Sequence, residues 1–407
     1  MIVELSGEDL NIENVWQIAH HGAKVELSES SVAKMTASRE YIEGRINAGE
    51  VMYGINTGFG AFSDVKISKE DIEKLQVNLI RSHSAGVGVP FSKPETRAIM
   101  ALRANALVRG HSGIRPIVVK KILEFLNNDI LPKIPEQGSV GASGDLAPLS
   151  HLALALIGEG EVWGENDQFV PVSSVLQRKG IQPLEPQAKE GLSLINVCQV
   201  MPAVGHLIAS EARRLARMVF FPEALTWDAM RGTRGAVALL ISSTRRHPGE
   251  AKTARNILKL LGESSEISES HKDCGRVQDA YSLRCIPAVH GAAKDAICNS
   301  TRTLEIEANS STDNPLVFCQ ENKVLSCGNF HGEPVAFALD FMGIAMSAMV
   351  SISECRIEKL INPAMSQLPA FLAPNGGLNS GMMIVQVAAA SLVSENKILS
   401  HPASVDS

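Results

Sequence analysis

Gly138-Ser139-Val140-Gly141-Ala142-Ser143-Gly144-Asp145-Leu146-Ala147-Pro148-Leu149-Ser150-His151 is the stretch on which the reading of this chain turns. Glycine admits φ > 0 and very tight turns that a Cβ forbids. In such a turn the amide nitrogen of Gly144 can attack the carbonyl of Ala142 and close a five-membered ring. Loss of water from the ring and from the Ser143 side chain then leaves an exocyclic methylidene conjugated to carbonyls. No ordinary side chain supplies such an electrophile. Read alone, the same tripeptide is a Gly/Ser turn that opens a helix, and both readings stand until the rest of the chain is considered. Asp145 and Pro148 fall where that helix would begin, which would aim its positive end back at the tripeptide.

Further motifs follow in order. They are Tyr53-Gly54-Ile55-Asn56-Thr57-Gly58-Phe59-Gly60, Ser82-His83-Ser84-Ala85-Gly86-Val87-Gly88 and Val277-Gln278-Asp279-Ala280-Tyr281-Ser282-Leu283-Arg284-Cys285. Thr312-Asp313-Asn314-Pro315 and Gly328-Asn329-Phe330-His331-Gly332 complete the set. With these motifs in register, the chain resembles the aromatic amino acid ammonia-lyase family over essentially its whole length.

That resemblance implies a 4-methylidene-imidazol-5-one (MIO) group, formed autocatalytically from Ala142, Ser143 and Gly144 with no external cofactor. It implies that Asn196 hydrogen-bonds the ring carbonyl, where the ordinary reading of a lone asparagine is a turn or cap. It assigns Tyr53 to removal of the substrate β-proton, with Tyr281 assisting. A phenol titrates at about pH 10 in water, so that role needs a lowered pKa; the plain alternative is a buried tyrosine with one hydrogen bond. Arg284 would pair with the substrate carboxylate, which a guanidinium matches bidentately, rather than serve as a surface arginine. The resemblance also implies that Gln278 would fall near the ring and that Phe330 would pack against ring or substrate. The Ser82-His83 pair is similar to the histidine-deaminating branch, because an imidazole substrate needs polar partners and an unpaired buried polar group is costly.

The expected reaction is therefore non-oxidative deamination of L-histidine to trans-urocanate and ammonia, combining covalent with general base catalysis. Two other readings are carried with it: an inactive assembly or regulatory subunit, and a lyase or aminomutase of other aromatic specificity. The family resemblance also implies a homotetramer whose sites combine loops from several subunits. Two positions depart from the family pattern. Val197-Cys198 stands where Gly-Thr is usual, and a branched valine resists glycine-only backbone angles. The chain also stops at Ser407, before the family's Asn-Gln-Glu segment, so the 201–407 region is expected to be C-terminally truncated relative to the family.

Composition agrees with an enzyme built from helices. Of 407 residues, 45% are hydrophobic but only 4% aromatic, so the core must use aliphatic and small side chains. A net charge of −6 argues against nucleic acid or an anionic membrane as partner. The seven cysteines form no Cys-x-x-Cys pair and read as reduced thiols, mostly small core residues. Met1-Ile2-Val3-Glu4 carries no leader pattern. The apolar run 341–353, bounded by Asp340 and Glu354, is too short to span a bilayer. A cytoplasmic location is expected. The scattered histidines, among them His20, His21, His290 and His331, show no metal-ligand spacing, and Gly58-Phe59-Gly60 lacks the lysine of a phosphate loop.

The fold class is mainly α. A mixed N-terminal region over 1–200 carries the tripeptide and the Tyr53 loop, and a long-helix bundle occupies 201–407. Ser68 is expected to precede an amphipathic helix with Ile72, Leu75 and Leu79 on one face. Pro94 and Pro116 mark helix starts. Residues 161–163 and 168–170 read as a small hairpin, and 332–361 and 381–399 as long helices.

Overall fold

The computed structural model describes the chain except for Phe59, residues 61–64, Lys66, Lys69, Glu70, residues 141–143, Ser264, Lys272, Asp406 and Ser407. Helices make up most of it, and the strands form small two-stranded sheets. The described residues divide into two units. One spans 1–208 and 302–336, the other 209–301 and 337–405.

The first unit is organised around the helix Lys93–Leu107. Ser92 and Glu95 cap its start reciprocally, and Pro94 sits in the first turn, where its missing N–H is harmless. Every residue from Thr96 to Leu107 is buried, as expected of a helix apolar on all sides. Ile12–His21 and Pro116–Asn127 belong to the same core, which gathers Leu5, Val15, Ile99, Phe125, Leu152 and Ile195. The hairpin forms as Glu161–Trp163 against Phe169–Pro171, with the Trp163 and Phe169 rings 4.5 Å apart.

The amphipathic helix expected after Ser68 is Ile72–His83, with the Ser68 hydroxyl donating to Asp71 just ahead of it. Its inner face holds Ile72, Leu79 and Ile80, while Leu75 is only half-buried. Gln76 is also buried there, accepting from the Gly191 and Leu192 amides at 2.9 and 3.3 Å.

In the second unit Phe220, Trp227, Ile257, Leu283, Ile286 and Ile352 form a separate core. The two long helices appear as Glu333–Ile361 and Met383–Leu399. The first corrects the bilayer argument. Asp340 and Glu354 lie inside this 29-residue helix and do not end it. By length and composition alone it is long and apolar enough to cross a membrane, as is the 190–229 stretch, whose apolar window is 78% buried. The cysteine expectation is corrected too. All seven are free, but only Cys198 is buried, while Cys274, Cys298 and Cys355 are exposed.

Candidate active site

The tripeptide is followed directly by the helix Leu146–Leu156, as the positions of Asp145 and Pro148 predict. Ala142 and Ser143 lie outside the described residues. Gly144, the third member, has φ +72. A Cβ on it would sit 2.8 Å from the Val197 carbonyl oxygen and 3.0 Å from that of Phe330. Both the left-handed angle and the crowding therefore require glycine. Gly144 also bridges Val140, and its carbonyl accepts from the Ser139 hydroxyl. The two carbonyl oxygens leave no room for a side chain on Gly144, which fits the compressed turn that cyclisation needs.

Asp145 locks the same corner. Its amide donates to the Val197 carbonyl at 2.7 Å. Its carboxylate does not cap its own helix but accepts from the Val200 amide at 2.8 Å, at the start of Val200–Met218. Burial pushes the Asp145 carboxyl up to about 7, against the lowering effect of the Val200, Met201 and Gln199 amides. Glu307 is likewise raised to about 7, by burial and then by the Asp145 charge. Cys198 donates to the Phe330 carbonyl, and burial raises its thiol pKa. The 144–145, 197–200 and Phe330 segments thus meet in one cluster.

Asn196 ends the short helix Glu190–Ile195 with φ −87 and ψ 71. It is the one residue between Ala188 and Val200 that is not buried. Val197 does not take a positive φ, so the valine costs this turn nothing in backbone strain. Beneath it lies a buried polar network. Lys189 Nζ donates to both Asp313 oxygens at 3.0 Å and to Ser193 at 2.9 Å. Burial lowers the Lys189 pKa, with Asp313 opposing.

His83 closes the Ile72–His83 helix, half-buried, with Nδ1 2.9 Å from the Leu79 carbonyl and 3.0 Å from Ser82 Oγ. The strand after it, Val87–Pro90, pairs antiparallel with Pro135–Gln137, which brings Gly86 and Val87, downstream of the Ser82-His83 pair, beside the start of the tripeptide loop. His151 Nε2 accepts from the Gly86 amide at 3.1 Å, and burial lowers its pKa, which keeps the ring neutral for that role. Tyr53 is half-buried in a turn fixed by Asn56, which accepts from the Met52 amide at 2.8 Å, and by Thr57, which accepts from the Gly54 amide at 3.1 Å.

The remaining expected residues lie in the second unit. Asp279 accepts from the Thr233 amide at 2.7 Å and so anchors the loop. With its amide oriented toward Arg284, Gln278 Oε1 accepts from that guanidinium at 3.0–3.1 Å. The Arg284 guanidinium stands 5.4 Å from the Tyr281 ring centroid. Gln278, Tyr281 and Arg284 are brought together and exposed to solvent. Gln278 also borders a cleft of about 370 Å³ that includes Arg231, Arg234 and Arg276. Among the described residues no His/Cys/Asp/Glu group is arranged to hold a metal ion.

Residues 10–407 match the family described as aromatic amino acid lyase. The chain belongs to that family. As an aromatic amino acid lyase it is 49% identical to a histidine ammonia-lyase of Myxococcus xanthus, over 99% of this chain and 79% of the relative. It is 50% identical to one of Caldanaerobacter subterraneus, over 100% of this chain and 79% of the relative. Its fold is similar to crystal structures of a histidine ammonia-lyase from Trypanosoma cruzi (TM-score 0.91, 43% identity, covering 100% of this chain and 76% of the other) and of a tyrosine aminomutase from Streptomyces globisporus (TM-score 0.93, 38% identity, covering 100% and 80%).

Sequence reading missed the buried contacts around the candidate site: the carboxylate of Asp145 reaching Val200, the Cys198–Phe330 bond, and Arg103 with Gln199. One signal for the last pair was present. Arg103 and Asn105 interrupt the run Ala98-Ile99-Met100-Ala101-Leu102 to Leu107, and a polar side chain in such a helix implies a buried partner.

Proposed function

We propose that this chain catalyses the non-oxidative deamination of L-histidine to trans-urocanate and ammonia, with MIO formed from Ala142, Ser143 and Gly144. The observation that carries the reading is the Gly144 turn, left-handed and pressed between the Val197 and Phe330 carbonyls, next to an Asn196 that alone in its segment is not buried. Once formed, the ring supplies an electrophilic alkene that turns the substrate amine into a leaving group. Asn196 would hold the ring by donating from its side-chain amide to the ring carbonyl. Tyr53 takes the β-proton on its phenolic oxygen, with Tyr281 assisting. Arg284, oriented by Gln278, pairs with the substrate carboxylate. Phe330 packs against the reacting groups.

Substrate choice rests on His83. A carbonyl only accepts, so the contact with Leu79 places the proton on Nδ1 and leaves Nε2 as an acceptor for the substrate imidazole N–H. The names of the bacterial and trypanosomal relatives support the same substrate.

Assembly as a homotetramer acting in the cytoplasm belongs to this reading. Apolar side chains left exposed on the long helices, including Phe337, Phe341, Ile384 and Leu392, support burial against further copies.

The test incubates purified full chain with L-histidine and follows urocanate absorbance. Steady formation is expected, with none above background from Ser143→Ala. No difference between the two proteins counts against the reading, and a β-amino acid product would indicate an aminomutase.

A further inference from the structure

Arg103 lies in the buried stretch Thr96 to Leu107 of the helix Lys93–Leu107 and is 1% exposed. One arm of its guanidinium, Nη2, donates to the Ser193 carbonyl at 2.8 Å. The other, Nη1, donates to Gln199 Oε1. Gln199 Nε2 in turn donates to Thr312 Oγ1 at 2.6 Å. Ser193 and Gln199 flank Asn196 symmetrically, three residues to either side. We infer that Arg103 is the positioning residue for Asn196: its planar fork clamps the chain before and after that turn and fixes where the asparagine amide stands. The inference rests on the proposed function, in which Asn196 meets the ring.

Three observations argue against a role in stability alone. Asp313, the nearby buried carboxylate, already has Lys189 on both its oxygens, so it does not require Arg103 as counterion. Among the described residues the buried Arg103 Nε has no hydrogen-bond partner, a loss that a stability-driven arrangement would avoid. Burial also lowers the Arg103 pKa to about 10, so the fold carries a desolvated cation that an apolar side chain of similar volume would spare it. What the guanidinium provides and an apolar group does not is a rigid separation between two acceptors. A lysine, a point charge on a flexible stem, cannot reproduce it.

The test uses the full chain with Arg103→Lys, Gln199→Met, and Leu5→Ala as a comparison at an equally buried core position distant in sequence. Two quantities are read. The first is kcat and KM for L-histidine per mature ring, with ring content taken from the two-water mass deficit. The second is amide hydrogen exchange over residues 193–200, measured without substrate. Arg103→Lys and Gln199→Met are expected to lose about 10- to 100-fold in kcat, as for a catalytic group displaced by roughly 1 Å, with KM within about threefold. Exchange over 193–200 is expected to quicken in both. Leu5→Ala is expected to lower Tm while leaving kcat per ring and exchange over 193–200 unchanged.

Either variant keeping wild-type kcat per ring, or wild-type exchange over 193–200, overturns the inference, as does Leu5→Ala producing the same pattern. A wild-type chain that forms no urocanate sinks the functional reading instead. If wild type turns over and the variants match it, only the role of Arg103 falls.

Discussion

Replacing His83 by leucine tests the substrate assignment at a single atom. The Nδ1 side of the imidazole is taken up by the Leu79 carbonyl at 2.9 Å, so the group available to substrate is Nε2. Leucine keeps comparable bulk at the half-buried end of the helix and removes that acceptor. The Leu79 carbonyl still receives the Ser82 hydroxyl at 3.0 Å, so the helix end keeps a donor. What is lost is one hydrogen bond to a desolvated substrate N–H, about 1–3 kcal/mol. Expressed as transition-state binding, that is a fall of roughly 5- to 150-fold in kcat/KM for L-histidine. Initial rates of urocanate formation measure it, alongside cinnamate formation from L-phenylalanine, whose apolar ring should gain relative to histidine. A variant with kcat/KM for histidine within about twofold of wild type, and no relative gain for phenylalanine, would refute the reasoning that Nε2 reads the substrate.

Other perturbations probe the scaffold. Gly144→Ala forces a Cβ to within 2.8 Å of the Val197 oxygen at φ +72 and should prevent ring formation, seen as full sequence mass in whatever protein folds. Lys189→Met strands the Asp313 carboxylate at a site with both partners almost fully buried, and urea unfolding should show a loss of about 3–5 kcal/mol, largely restored by adding Asp313→Leu. Glu307 is raised from the usual carboxylate range to about 7, so the folded state binds its proton more tightly than the unfolded chain does. Its contribution to stability is full below the unfolded pKa and disappears as pH rises through about 7. Thermal unfolding from about pH 5 to 8 should therefore show Glu307→Gln gaining stability relative to wild type.

The parts of this fold legible in sequence were those written in local chemistry. Pro94 and Pro116 stand at observed helix starts because a missing N–H is tolerated there. The hairpin around 161–171 follows from strand-forming residues about a polar turn. Ser68 precedes its helix without capping the first turn, because its hydroxyl is satisfied by the Asp71 side chain. Charged residues also proved poor markers of a helix end. Asp340 and Glu354 sit half-buried along one continuous helix, where a charge needs no break in the backbone.

The site divides in the same way. In the candidate site, the need for glycine at 144 was legible because only glycine suits its angle, and the grouping of Gln278 with Tyr281 and Arg284 because the motif places them within one loop and turn. The concern over Val197 dissolved once the turn proved to need no positive φ. The clamp from Arg103 through Gln199 to Thr312 joins segments far apart in sequence, and no local pattern encodes a pairing of that range.

The central claim is chemical, and the intact mass of the purified, folded chain tests it most directly. The account predicts a wild-type mass below the sequence value by two water molecules, with Ser143→Ala at its full calculated mass. Folded wild-type protein at full sequence mass would contradict it.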